Sequence, residues 1–182
     1  MENRMSAESC AALLQTLVRT DTCQPAGNEE ALCHSIAALF PDTVEKTLIP
    51  HQAGRASLAI RIPGKESRGG LAFMGHLDTV SCGDPSLWSC DPLAAQRKGD
   101  LIYGRGTADM KGGLVCMIQA ALHLLESGKP LAHDLWLCFT ADEEANGTGA
   151  LAFAGNGWLK NIRALVVAEP SNEEIGLCEK GA

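Results

Sequence analysis

Three short apolar runs constrain this chain most: LAFM at 71–74, LWLCF at 135–139 and ALVVA at 164–168. Each is continuous, and each is bounded by polar residues or glycine. A strand covered on one face alternates apolar and polar residues, whereas a strand buried on both faces reads as an unbroken apolar run. Between the first two runs, residues 110–127 set Leu114, Ile118, Ala121 and Leu125 on one helical face. Val115 and Leu122 widen that face, and Gly128 and Pro130 mark its end. Buried strands that alternate with helices predict a layered αβα domain, of class α/β, around a largely parallel central sheet.

The rest of the chain fits that frame. Residues 6–20 predict a helix with Leu13, Leu14, Leu17 and Val18 on one face, and a polar break with Pro25 and Gly27 follows. Residues 29–40 predict a second helix, with Leu32, Ile36 and Leu39 inward and Pro41 as its stop. Residues 43–49 and 57–62 alternate like half-buried strands, PGKESRGG reads as a turn between strands, and 148–154 as a short helix. No repeat, low-complexity tract or linker divides the 182 residues. The net charge of -7, with no Lys/Arg run, excludes nucleic acid and anionic membranes as expected partners. No apolar stretch is long enough to cross a bilayer, and MENRMSAESC lacks the apolar region of a secretory leader, so a cytoplasmic location is expected. The 8 cysteines form no CxxC pair. In such a location they are expected as free thiols, with Cys116 and Cys138 acting as small buried apolar residues.

The chemistry lies at the strand ends. His76 and Asp78 follow the first run, Glu143 and Glu144 the second, and Glu169 the third. Asp109 stands just before the long helix, behind the turn Gly104-Arg105-Gly106. Parallel strands open their carboxyl ends onto one edge, where ligand sites form. One imidazole and several carboxylates therefore converge on one crevice. Like charges so gathered are costly unless a proton or cation sits among them. This donor set suits divalent zinc, manganese or cobalt better than a softer metal. Two ions about 3.5–4 Å apart can share a bridging carboxylate and a bridging water. Asp109, held by its turn, is the natural bridge. His76 is placed as a terminal ligand, with Asp78 orienting its ring. Of Glu143 and Glu144, one is expected to bind metal and the other to take a proton from the water, whose pKa falls from about 15.7 to about 7 on metal.

Each element alone has a blander reading. An HxD is usually a structural pair, adjacent glutamates are usually a solvated helix face, and Glu169 before Pro170 would ordinarily be a loop acid. GRGTAD is no dinucleotide fingerprint, because Asp109 occupies the place of the third glycine, and no phosphate loop exists. His34 and His123 read as structural or exposed, His51 and His133 as lying in turns, and Trp88 and Trp158 as packing residues. Ser81 and Ser89 lack a His and Asp arrangement, and the thiols lack an activating neighbour. The joint placement, in this order, lifts the metal reading above these.

The strings MGHLDTV, LWSCDPL, YGRGTADMKGG, FTADEE, VVAEPS and GLCEKGA resemble the acetylornithine deacetylase and succinyl-diaminopimelate desuccinylase family, which also holds aminoacylases, glutamate carboxypeptidases and dipeptidases. They span 28–182 in the family's order. The resemblance implies a zinc-exopeptidase-like fold and two divalent ions, zinc first, with cobalt or manganese as alternatives. It implies that His76 and Glu169 bind one ion, Glu144 the other, and that Asp109 bridges them, often with a cis peptide after it. Asp78 supports His76, and Glu143 is general base and acid. The implied reaction hydrolyses an N-acyl or peptide bond of an amino-acid-like substrate. Family members are longer: a lid and dimerisation domain follows the segment like GLCEKGA, and a last histidine ligand follows that. Residues 1–182 are thus expected to be the N-terminal part of the catalytic domain, and the complete protein a homodimer through the lid. The competing expectation is a metal-binding domain without hydrolase activity of its own.

Overall fold

The computed structural model describes residues 6–171. The GLCEKGA string and Cys178 lie outside the described residues. Helix α1 (Ala7–Arg19) starts where Ser6 Oγ accepts the Ser9 amide at 3.1 Å and buries Leu17 and Val18. Helix α2 (Glu29–Ala37) is shorter than its apolar pattern predicts. Ahead of Pro41 the chain tightens into three-residue turns, with Leu39 N donating to Ile36 O and Phe40 N to Ala37 O. Helix α3 (Gly112–Glu126) buries Leu114, Val115, Ile118, Ala121 and Leu122, and α4 (Thr148–Gly155) buries Phe153.

Among the described residues, seven strands form two sheets. The main sheet holds β1 (Glu45–Gln52), β2 (Arg55–Ile62), β3 (Glu66–His76), β6 (His133–Thr140) and β7 (Ile162–Val167) in the order β1-β2-β6-β3-β7. The three strands of the apolar runs, β6, β3 and β7, are parallel, as predicted. The first two strands extend the sheet antiparallel, β1 on β2 and β2 on β6, so the sheet is mixed. A two-residue turn with Gly54 at φ +75° joins β1 to β2 as a hairpin, which forces antiparallel pairing. The predicted turn PGKESRGG is confined to its first residues. Lys65 N and Glu66 N donate to Leu131 O and Ala132 O, and β3 starts at Glu66 with a register shift before Leu71. His51 and His133, expected in turns, fall within β1 and at the start of β6. A small ribbon of β4 (Gln96–Lys98) and β5 (Leu101–Tyr103), unforeseen from the sequence, stands apart.

Side chains of each strand alternate between two unequal layers. Leu58, Ile60, Leu137, Phe139 and Phe73 meet α1, α2 and α3 in the large core. Ala59, Cys138, Met74 and Trp136 meet Phe153 and Trp158 in a small one, where Trp158 stacks on Trp136 at 6.1 Å. The αβα layering is present, and β7 departs from expectation. Its run was read as buried on both faces, yet Leu165, Val166 and Val167 are 44, 46 and 49% exposed. The strand lies at the sheet edge, and among the described residues neither of its faces is fully covered.

Candidate metal centre

The parallel strands β3, β6 and β7 deliver their ends to one edge, and every sequence-predicted site residue is there. His76 is the last residue of β3 and is 2% exposed. Its Nδ1 lies 2.9 Å from the Asp78 carbonyl oxygen. A carbonyl can only accept, so this contact puts the proton on Nδ1 and aims the Nε2 lone pair at the carboxylates. Asp109 Oδ1 is 2.9 Å from Nε2, Glu169 Oε1 3.6 Å, and Glu143 Oε2 4.0 Å. Ligand atoms of His76, Asp109 and Glu144 all lie within 4.8 Å of one another.

Local structure explains each placement. Gly106 at φ +82° turns the chain, and Lys111 N donates back to its carbonyl at 2.8 Å. The peptide between Asp109 and Met110 is cis. Met110 is buried, and its sulfur accepts the His76 amide at 3.1 Å, joining this turn to the end of β3. Glu143 and Glu144 follow Asp142, which has φ +64° and whose carboxylate accepts from Asn146 and Thr148. Glu169 follows Ala168, whose amide donates to Met74 O at 3.2 Å and holds the end of β7 beside β3.

Asp78 departs from the expected arrangement. Its backbone carbonyl, and not its carboxylate, orients the imidazole; Oδ1 stands 3.7 Å from Nδ1. The buried carboxylate instead accepts the amides of Glu143 at 3.0 Å and Glu144 at 3.1 Å, plus Gln24 Nε2 at 2.8 Å. Paired backbone amides at a strand end offer a carboxylate better-aligned donors than a ring already bonded to the main chain. Asp78 therefore fixes the Glu143–Glu144 turn directly and His76 through its main chain.

Sequence reasoning missed the buried layer beneath. Arg55 donates through Nε to both Glu29 oxygens and through Nη1 to Gln24 Oε1, and its Nη1 lies 3.1 Å from Asp142 Oδ1. Gln24 then reaches Asp78. No short-range pattern announces this network, since its members come from four separate segments. Lys111 did carry a signal, a lysine set among apolar residues within the YGRGTADMKGG string. It is buried and its Nζ donates to Leu17 O and Thr20 O, closing the C-terminus of α1. Burial pulls its pKa down to about 8.

The electrostatics fit a cation. Burial raises the pKa of Glu144, and the charges of Asp109, Glu143 and Asp78 raise it further. Burial and the charges of Asp109, Glu143 and Glu144 raise Glu169 against the opposing pull of His76. For His76, burial alone would lower the pKa, but the Asp78 carbonyl and the charges of Glu169, Asp109 and Asp78 outweigh it and hold the value above its usual range. Crowded carboxylates whose pKa values are raised around one imidazole are a donor set suited to a hard or borderline divalent ion.

Comparison with known proteins shows the family and the fold. Residues 72–180 match the model of peptidase family M20/M25/M40. A probable succinyl-diaminopimelate desuccinylase of Staphylococcus aureus is 32% identical over 156 residues, 85% of this chain and 38% of that protein. One from Staphylococcus epidermidis is 35% identical over 112 residues, 62% of this chain and 28% of that protein. Human carnosine dipeptidase 1 shares the fold with a TM-score of 0.72 at 18% identity, over 88% of this chain and 38% of that one. Aminopeptidase PepT from Bacillus cereus superposes with a TM-score of 0.63 at 26% identity, over 81% of this chain and 39% of that one. The chain thus spans well under half the length of these relatives. By the family match over more than half of its length, the chain belongs to peptidase family M20/M25/M40.

Proposed function

We propose that residues 1–182 form the N-terminal part of the catalytic domain of a two-ion hydrolase that cleaves an N-acyl or peptide amide bond of an amino-acid-like substrate. The observation that carries this reading is the meeting of His76, Asp109 and Glu144 within 4.8 Å, with Glu143 beside them on the open side of the crevice. Metal dependence follows from the family and from this donor set. His76 and Glu169 would hold one ion, Glu144 the other, and Asp109 both, with zinc the first choice and cobalt or manganese compatible with the same donors. Bound there, the ions supply Lewis-acid polarisation of the substrate carbonyl.

The remaining chemistry belongs to side chains of this chain. The Glu143 carboxyl group is half exposed, and its amide is anchored on Asp78. It can therefore reach incoming water while its backbone stays fixed. Glu143 takes a proton from the attacking water and returns it to the leaving amine nitrogen, the dual role expected of one carboxylate on one face of an amide. The names of the relatives, a desuccinylase, a dipeptidase and an aminopeptidase, share amide cleavage next to an amino acid. A lid with a dimerisation surface, and a further histidine ligand, would lie outside these residues. No described helix is long and apolar enough to cross a membrane.

The test is Glu143→Ala, assayed with N-succinyl and N-acetyl amino acids and dipeptides alongside zinc content. Loss of a general base lowers turnover about 100- to 10,000-fold, with zinc retained because Glu143 is not among the four residues proposed to hold the ions. Full turnover in the variant, or loss of its zinc, overturns the assignment. Zinc bound by the unaltered chain with no hydrolysis of any of these substrates supports the competing metal-binding reading.

A further inference from the structure

We propose that Cys23 and Cys82 are a dithiol that peroxide closes to a disulfide beside the metal centre. Their sulfurs lie 3.4 Å apart, although the residues are 59 positions apart in sequence. The segments that carry them are already laced together. Thr79 N donates to Thr22 O at 3.1 Å, Gln24 N donates to Thr79 O at 2.8 Å, and Thr79 Oγ1 donates to Cys23 Sγ at 3.4 Å. Trp88 Nε1 fixes the Cys82 carbonyl at 2.7 Å and is itself covered by the Arg105 guanidinium at 5.1 Å from the ring. A disulfide needs sulfurs about 2.05 Å apart, so closure requires only side-chain rotation and a small loop shift.

The pair is also reachable. Both cysteines are partly exposed and line an open cavity of about 500 Å³ with Asp21, Ser81, Trp88 and Cys90. By contrast Cys33 and Cys138 are buried, where burial pushes Cys138 up to about 12. Burial likewise raises Cys23, to about 11, and both thiols face the oxidant through the same cavity. The Cys82 sulfur attacks one peroxide oxygen. The S–O bond forms, the O–O bond breaks, and the departing hydroxide leaves as water with the thiol proton. The Cys23 sulfur then attacks the sulfenic sulfur. The S–S bond forms, the S–O bond breaks, and the hydroxyl leaves as a second water with the Cys23 proton. The two sulfurs give up two electrons and hydrogen peroxide accepts them. The new bond would brace the two segments that flank Asp78, since Gln24 follows Cys23 and donates to the Asp78 carboxylate.

The experiment treats the reduced chain with hydrogen peroxide and reads intact mass, fragmentation of unreduced peptides and melting temperature. The expected result is loss of the mass of two hydrogens, a Cys23–Cys82 linkage, a raised melting temperature and reversal by dithiothreitol. Cys90→Ser should respond as the unaltered chain does. Cys82→Ser, checked for folding by circular dichroism, should neither lose hydrogens nor gain in melting temperature. An unchanged mass, a Cys82–Cys90 linkage, or oxidation that stops at sulfinic acid would overturn the proposal.

Discussion

Strands β2 and β7 have the same apolar character and opposite fates. The sequence of β2 alternates like a half-buried strand, yet every residue but Arg61 is buried. The sequence of β7 reads as buried on both faces, yet it lies open at the sheet edge. Position in the sheet decides the difference. β2 has a strand on either side, α2 on one face and the Ser57 network beside α4 on the other; Cys33 Sγ donates to Ala56 O, and Ser57 Oγ accepts the Ala141 amide. β7 has β3 on one side and no described strand on the other. Apolar patterning states what a strand can tolerate, and neighbours supply what it receives. The site straddles the same divide: His76 and Asp78 are rooted in the buried centre, and Glu169 hangs on the open edge.

The largest effects should therefore fall on the buried side. Arg55 is enclosed by Glu29, Asp142 and Gln24. Arg55→Ala leaves two buried carboxylates unpaired and should cost about 3–5 kcal/mol in urea unfolding. It should also weaken zinc binding, because Asp142 and Gln24 lose the group that holds them under the Glu143–Glu144 turn. Leu58→Ala in β2 should cost about 2–5 kcal/mol by cavity formation. The exposed pair Arg97–Glu8 is the control, and Arg97→Ala should leave the unfolding midpoint nearly unchanged. Equal losses at Arg55 and Arg97 would erase the distinction between the two environments.

A pH titration sharpens it further. His76 has its folded pKa held above 6.5, and Glu144 and Glu169 theirs above 4.5. All three bind protons more tightly folded than unfolded, so each favours the metal-free fold at low pH. The contribution of His76 is complete below about pH 6.5 and is lost as pH rises through its raised value; those of the two glutamates fade from about pH 4.5 upward. Asp142 works the other way. Against burial, hydrogen bonds from Thr148 and Asn146 and the charge of Arg55 hold it below 3.8, so its stabilisation is lost only in stronger acid. Because His51 titrates with the opposite sign, its pKa lowered by burial, the His76 contribution is read against His76→Ala: the melting-temperature advantage of chelator-treated unaltered protein over that variant should fall from pH 5 to pH 8, while the rise produced by added zinc grows over the same range. A flat zinc response would mean that protons and metal do not compete for these groups.

The site was more legible in the sequence than the sheet. Chain order and strand ends alone place His76, Asp109, Glu143, Glu144 and Glu169 on one edge, because parallel strands leave them no other. The antiparallel hairpin of β1 and β2 was not legible, since an alternating run is compatible with either pairing. Nor was the work of the Asp78 carboxylate, which depends on where the amides of residues 143 and 144 arrive. The Arg55 network escaped for the same reason. Burial of a charge depends on partners 26 and 87 positions away, and no local spacing encodes such distances.

Gly113 lets the two sides of the divide be moved separately. A Cβ there would fall on the Ala168 carbonyl oxygen and within 3.0 Å of the Ala168 Cβ, at the end of β7 just before Glu169. Gly113→Ala should gain up to about 1 kcal/mol of helix propensity in α3 and lose about 1–3 kcal/mol to overpacking, a small net cost. Its distinctive effect should be weaker zinc binding, read by competition with a chelator, because Glu169 is pushed away while His76 stays. Gly155→Ala, with no atom near its added methyl, should leave zinc binding unchanged. Unaltered affinity in Gly113→Ala would show that Glu169 adds little to the metal centre.

The smallest effect should come from β7 itself. Val166 is 46% exposed in the middle of an edge strand. Val166→Lys removes apolar surface that is already wet and should shift stability by about 0.5 kcal/mol or less. A lysine on an open edge also discourages strand-to-strand pairing between molecules. Binding of the dye ANS and concentration-dependent light scattering should therefore both decrease. If Val166→Lys instead unfolds the chain, or costs as much as Leu58→Ala, then β7 is covered when the protein is free in solution. Its unbroken apolar run would then report true burial against a surface beyond the described residues.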